Sequence, residues 1–269
     1  MDILLSHDVD HMTLWEHRAD LILPKFYARS CIELGQGMCT WKEFTNRWRD
    51  LFRNKWQNIQ EVMDLHDQRG IRSCFFFGMA NGKGLAYPLD HSEHWIPIVQ
   101  ARGFETGVHG IAYDNAEGIR TEFDRYTRIG GPKAAGIRMH YLRQDPDTIT
   151  RLAATGYAFN ATTHGMRDPY RVGAMWEFPL QEMDGWALCG DRRYRSRTLV
   201  EAVAHTTALL DEAERKGLRY FSLLFHDRYF SASFEGWRAW YLRVLDIMQQ
   251  RGHRFITHAQ AMHQLNTAG

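Results

Sequence analysis

At 269 residues with 44% hydrophobic content, the chain is long enough for one large domain with a substantial buried core. Its 33 basic and 32 acidic residues leave a formal charge of +1, which gives no general electrostatic reason to expect nucleic acid or an anionic membrane as partner. No run approaches the ~20 apolar residues of a membrane span, and MDILLSHDVD lacks the basic and apolar regions of a signal peptide, so a cytoplasmic protein is expected.

The pattern opens with a strand over Ile3–Asp10. His11 to Thr40 is long and mixed, of the kind that forms a functional loop or local subdomain. Trp41 to Arg69 carries apolar residues near helical spacing and stops at Gly70. Ile71–Phe77 reads as a strand, His91–Gly103 as a helix, and Phe104–His109 as a third strand. A helix over Asn115–Ile129 precedes a strand over Ala134–Leu142 and a helix over Asp145–Gly156. Tyr157–Thr163 and Glu177–Met183 read as strands separated by a long loop, His164–Trp176. Ser196–Gly217 is an amphipathic helix, Leu218–His226 an apolar strand, Phe234–Gly252 a helix and Arg254–His258 a short last strand. The alternation favours a parallel sheet covered by helices, as a barrel or an open doubly wound sheet. No glycine-rich nucleotide loop argues for the open form. Cys31, Cys39, Cys74 and Cys189 form no C-x-x-C pair and fit reduced thiols.

The chemistry gathers at strand ends. Asp8 and Asp10 close the first strand two residues apart, hence on one face. Two adjacent carboxylates repel unless a cation lies between them. His109 ends ETGVHG, Arg138 and His140 end GIRMHYL, and His226 and Asp227 end LLFHD. In parallel α/β folds the C-terminal strand edge is where active sites lie.

These segments together resemble the polysaccharide deacetylases, carbohydrate esterase family 4. SHDVDH stands for the family's D-x-D start, ETGVHG for its E-x-G-x-H block, RMHY for R-x-P-Y and LLFHD for L-L-x-H, while CFFFG resembles its T-F-F strand. The resemblance runs from residue 3 to about 258, nearly the whole chain, and implies a distorted (β/α)7 barrel with a divalent metal, usually zinc. By resemblance Asp8 is the catalytic base, Asp10 and His109 are metal ligands, Arg138 holds the base, in the ideal case by a bidentate pair, and His226 is the catalytic acid. The family's second motif normally has a further His where this chain has Tyr113, so His140 is the candidate third ligand, with His7, His11 and His164 in reserve.

The R-x-H-Y-L variant resembles a branch associated with surface-polysaccharide biosynthesis, such as O-antigen or capsule. The implied reaction is metal-assisted removal of an acyl group, N-acetyl foremost, from a free, nucleotide-linked or lipid-linked sugar. A backbone N–H near Met139 or Tyr141 would stabilise the oxyanion, and Trp176 is either a stacking face for the sugar or a core residue. Two other readings use the same residues: an amidohydrolase or deformylase acting on a small amide, and a catalytically silent sugar binder.

Overall fold

The computed structural model describes residues 1–131 and 135–267. Its centre is β1 (Asp2–Val9), buried along its whole length and paired in parallel on both sides. On one side follow β2 (Cys74–Gly78), β3 (Glu105–Gly110), β4 (Gly136–Met139) and the short β5 (Phe159–Asn160). A hairpin, β6 (Tyr170–Val172) and β7 (Met175–Glu177), extends that side, and β7 pairs parallel to β5. On the other side of β1 lies β9 (Tyr220–Leu224), with β8 (Glu182–Met183) beyond it.

The two sheet edges belong to one stretch of chain. Residues 175–183 donate from Trp176, Phe178 and Leu180 to the carbonyls of Ala158, Asn160 and Thr163, and then from Gln181 to Ser222. That stretch bridges β5 to β9 and closes seven staves into a distorted (β/α)7 barrel. The sequence pattern suggests a single strand over Glu177–Met183; the chain instead bends between the two neighbours it must join.

Alternation along the strands sorts the side chains. Leu4, Cys74, Phe76, Phe159, Phe178 and Tyr220 fill one cluster, the barrel interior. Ile3, Leu5, Phe75, Phe77, Val108 and Phe221 belong to the larger cluster under the surrounding helices. Interior volume explains two glycines: a Cβ on Gly107 would meet the Phe76 ring at 2.7 Å, and one on Gly136 would overlap the Phe159 ring.

The covering helices that match the sequence pattern are α4 (Leu89–Ala101), α5 (Ala116–Gly130), α6 (Thr148–Thr155), α8 (Leu199–Arg215) and α9 (Glu235–Gln250). Three regions differ. The stretch 11–40 contains a helix, α1 (Ile22–Gly35). Trp41–Arg69 is two helices, α2 (Trp41–Arg53) and α3 (Ile59–Arg69), because Asn54 turns left-handed at φ 48° and ends the first. The strand at the end of the chain, β10 (Arg254–Ile256), pairs only with the start of β1 and yields at His258 to α10 (His258–Thr267). Ala134, which opens the fourth expected strand, lies outside the described residues.

Candidate active site

Four of the parallel strands, β1, β3, β4 and β9, deliver polar side chains to one end of the barrel. Asp8 and Asp10 lie on the inner face at the end of β1, while His7, just before Asp8, turns to the helix side against Phe75 and Tyr241. His7 is fully buried, donates to the Phe225 carbonyl at 2.7 Å, and burial pushes its pKa down to about 3. It is a neutral packing residue, as its strand position suggests.

Arg138 comes from β4 and is wholly buried. Its Nη1 donates to Asp8 at 3.0 Å and to Ser6 Oγ at 2.7 Å, and its Nε donates to the Ala161 carbonyl at 2.9 Å. The contact with Asp8 is therefore single rather than bidentate: Nη1 is shared between Asp8 and Ser6, Nε is held by the residue after β5, and Nη2 has no partner among the described residues. The Phe76 ring, 4.7 Å from the guanidinium carbon, supports it from below.

Asp10, His109 and His140 converge. Asp10 Oδ1 lies 3.0 Å from His109 Nε2 and 3.2 Å from His140 Nδ1, and the two ring nitrogens are 2.9 Å apart. The opposite nitrogens fix the tautomers: His109 Nδ1 donates to the Arg138 carbonyl at 3.1 Å and His140 Nε2 to the Lys83 carbonyl at 3.0 Å. With both N–H groups committed to backbone oxygens, the two remaining lone pairs and a carboxylate oxygen face one another. Neutral rings cannot relieve that arrangement; a cation, either a proton or a metal ion, does. Burial lowers the His109 pKa, but Asp8 and Asp10 outweigh it and hold the value above normal. The donor set, two imidazoles and one carboxylate, suits a divalent zinc-like ion.

The backbone that carries His140 is unusual. Tyr141 and Leu142 both lie at positive φ, 59° and 51°. This left-handed pair costs energy in non-glycine residues. It breaks β4 after Met139, turns His140 toward Asp10 and leaves Tyr141 60% exposed at the rim. Gly84, at φ 85°, allows the Lys83 turn to approach, since a Cβ there would stand 2.5 Å from Tyr141 Oη and 3.2 Å from His140 Nε2.

His226 follows β9. Its Nδ1 donates to Asp184 at 3.0 Å and its Nε2 faces Asp10 Oδ2 at 3.6 Å. Burial opposes its charge, but Asp184, Asp10 and Asp8 outweigh burial and push its pKa up to about 10. Asp184, at the start of α7 (Asp184–Cys189), also accepts from the His226 backbone N–H at 2.6 Å. Sequence reasoning missed Asp184; the available signal was an acid directly after a strand, on the same edge as the others. Asp227, beside His226, turns away: it accepts from the Asn58 backbone N–H at 2.7 Å, and burial pushes its pKa up to about 7.

The remaining candidates stand elsewhere. His11 pairs with His17 at 2.6 Å, and His164 is exposed with its ring 5.7 Å from that of Trp186. Tyr113 has the Arg143 guanidinium over its ring at 5.2 Å. The Met139 N–H is taken by Thr162 Oγ1 at 3.0 Å, so of the two oxyanion donors considered Tyr141 remains. Trp176 donates to Asn266 in α10 at 3.1 Å and packs with the cluster at the N-terminal end of the barrel, away from this mouth.

Compared by sequence, the chain matches no family model and no curated protein. Compared by structure, it is similar to a candidate polysaccharide deacetylase from Mycobacterium smegmatis, with a TM-score of 0.67 over 99% of this chain and 90% of that one. A candidate polysaccharide deacetylase from Pseudomonas aeruginosa PAO1 gives 0.64 over 96% and 88%. The fold is that of the polysaccharide deacetylases. Sequence identities are 13% and 12%, so the likeness is one of architecture. The Puue allantoinase has the same architecture, at a TM-score of 0.64, 12% identity, and 96% and 87% coverage.

Proposed function

We infer that this protein is a metal-dependent hydrolase that removes an acyl group, N-acetyl foremost, from an amino sugar. The observation that carries the reading is the convergence of Asp10, His109 and His140 with both imidazole N–H groups turned away onto backbone carbonyls. Those three residues would hold the ion, and their donor chemistry is that of a zinc site. When bound, such an ion supplies Lewis acidity to the acyl carbonyl and acidifies water.

The chain's own groups divide the proton work. Asp8, oriented by Arg138, takes the proton of the attacking water. The Tyr141 N–H is the backbone candidate for the developing oxyanion. The C–N bond then breaks, and His226, kept protonated by Asp184, gives its Nε2 proton to the leaving amine. Tyr141 at the rim offers an aromatic face to a sugar ring. The variant R-x-H-Y motif supports a substrate in surface-polysaccharide biosynthesis, through the sequence resemblance alone. The likeness to an allantoinase favours a second reading, in which the same groups hydrolyse a small non-sugar amide.

Metal analysis of purified protein tests the reading, together with acetate release from N-acetylated sugars. Close to one divalent ion per chain is expected, lost in Asp10→Ala and in His109→Ala along with activity. Full occupancy in both variants refutes the ligand set, and turnover of small amides without any acetate release selects the second reading.

A further inference from the structure

Helix α2 is built inside out. Its buried residues are Glu43, Asn46, Arg47 and Asp50. They are held firmly: Arg47 donates to Glu33 at 2.7 Å and to the Ser233 carbonyl at 2.9 Å, and Asp50 accepts from Ser233 Oγ at 2.6 Å. The opposite face carries Trp41, Trp48 and Phe52, which are 67%, 43% and 90% exposed. Their spacing puts them on one side of the helix. An amphipathic helix in a globular protein normally turns its apolar stripe inward. Here the polar face makes the internal bonds and the aromatic face meets solvent.

The neighbouring chain is also rich in exposed apolar side chains, and Trp15 lies beside α2, donating from its indole to the Leu51 carbonyl at 3.0 Å. Of the eight large hydrophobic side chains exposed among the described residues, six lie between residues 15 and 52, the others of the six being Trp15, Leu21 and Ile32. Apolar exposure gathered in this way marks a contact surface.

Charge identifies what it contacts. Between residues 11 and 56 seven Lys and Arg residues are exposed; Lys42 and Lys55 are paired with Glu235 and Glu61, which leaves Arg18, Lys25, Arg29, Arg49 and Arg53, the last only 4.0 Å from Asp50. The five acids in that stretch are each engaged internally, Asp20 while half-buried: Glu16 and Asp20 by His17, Glu33 by Arg47, Glu43 by Thr40 and Asp50 by Ser233. The chain's overall charge of +1 conceals this local excess. A second copy docked here about a two-fold axis would bring like charges together. A lipid surface answers both features, since Trp and Phe settle at the headgroup level and Lys and Arg meet anionic headgroups. We propose that the outer face of α1 and α2 docks the protein on an anionic membrane surface. This is interfacial binding: among the described residues no helix is long and apolar enough to cross a membrane.

Vesicle flotation of the full chain tests the proposal, with phosphatidylcholine vesicles alone and mixed with phosphatidylglycerol. Binding is expected only to the mixed vesicles and is expected to fall as salt screens the charges. Phe52→Ser should weaken it about tenfold, and Arg53→Gln about fivefold. Both side chains are exposed, so circular dichroism and ion content should match the parent. Absence of binding to mixed vesicles overturns the proposal, as does binding that neither substitution changes. A parent dimer by light scattering that Phe52→Ser dissociates also overturns it, because the face is then covered by a second copy. None of these outcomes bears on the hydrolase reading, which is measured by ion content and turnover on the same samples.

Discussion

Two trios of histidine and carboxylate start from adjacent residues, Asp10 and His11, and resolve the same electrostatic problem differently. In Asp10–His109–His140 both rings spend their N–H groups on backbone carbonyls, and lone pairs are left facing a carboxylate. In His11–Glu16–His17 the chain of donors closes. His17 Nδ1 donates to Asp20 at 2.8 Å, and its Nε2 faces His11 Nδ1 at 2.6 Å and Glu16 at 3.2 Å. Burial would lower the His17 pKa, but Glu16 and Asp20 outweigh it and raise the value, whereas burial drives that of His11 well down. A charged His17 donating to a neutral His11 satisfies both His17 nitrogens and His11 Nδ1. Glu16 meanwhile accepts from the Met12 and Thr13 backbone N–H groups at 3.1 Å each, pinning the loop. Proximity of ligand-type atoms is therefore a weak criterion. Where the second nitrogen of each ring points distinguishes a site that wants an external cation from one that carries its own proton.

The largest effects that test this contrast are on turnover. Asp8→Asn and His226→Ala should each reduce kcat by about 10²–10⁴-fold, with the ion still bound, because neither side chain belongs to the converging trio. Arg138→Lys should lower kcat less, since Lys could keep one contact to Asp8 but not the further bonds to Ser6 and Ala161. Steady-state kinetics beside metal analysis decide the matter. An Asp8→Asn protein as active as the parent would show that Asp8 is not the base.

The next effect is on ion affinity and separates the trios directly. His140→Ala should weaken zinc binding by more than the roughly 10–100-fold that loss of an outer partner costs. Tyr113→Phe should leave affinity unchanged, and His17→Gln should leave the ion count unchanged. Competition against a chromophoric chelator measures all three. A loss in Tyr113→Phe that exceeds the loss in His140→Ala would transfer the third position to the tyrosine.

Much of this arrangement was legible in the sequence because strand alternation and the C-terminal edge rule are local. They suffice to bring Asp8, Asp10, His109, Arg138 and His226 to one barrel mouth and to send His7 outward, whereas His140 arrives there through the left-handed turn after β4 and not by alternation. What was illegible depends on long-range context. Asp184 reaches His226 across 42 residues, and only the barrel closure brings α7 beside β9. Trp176 looks like a cleft aromatic in a long loop, yet the hairpin that carries it descends to α10. The apolar spacing of Trp41–Arg69 suggests a helix, and the period is present, but α2 turns its aromatic face outward because its polar side is claimed by Glu33 and Ser233. Periodicity reports that a stripe exists; it does not report which side the protein keeps.

The smallest effect expected is a displacement of a pH limb. His226 must be protonated to act as the acid, so turnover is lost as pH rises through its pKa. Burial alone would lower that pKa; Asp184, with Asp10 and Asp8, raises it to about 10 in the ion-free protein. An ion held by Asp10 offsets part of that carboxylate's pull, so the limb of the loaded enzyme should lie lower. Asp184→Asn removes one of the opposing charges while leaving an amide oxygen to accept from His226 Nδ1. The imidazolium then loses its proton sooner, and the alkaline limb of kcat/KM must move to lower pH, with the acid limb and ion content unchanged. A residue that only packed the loop after β9 would alter stability without moving the limb. An Asp184→Asn profile that overlays the parent's at every pH would therefore remove Asp184 from the acid's machinery, and with it the reason for His226 to stay charged at neutral pH.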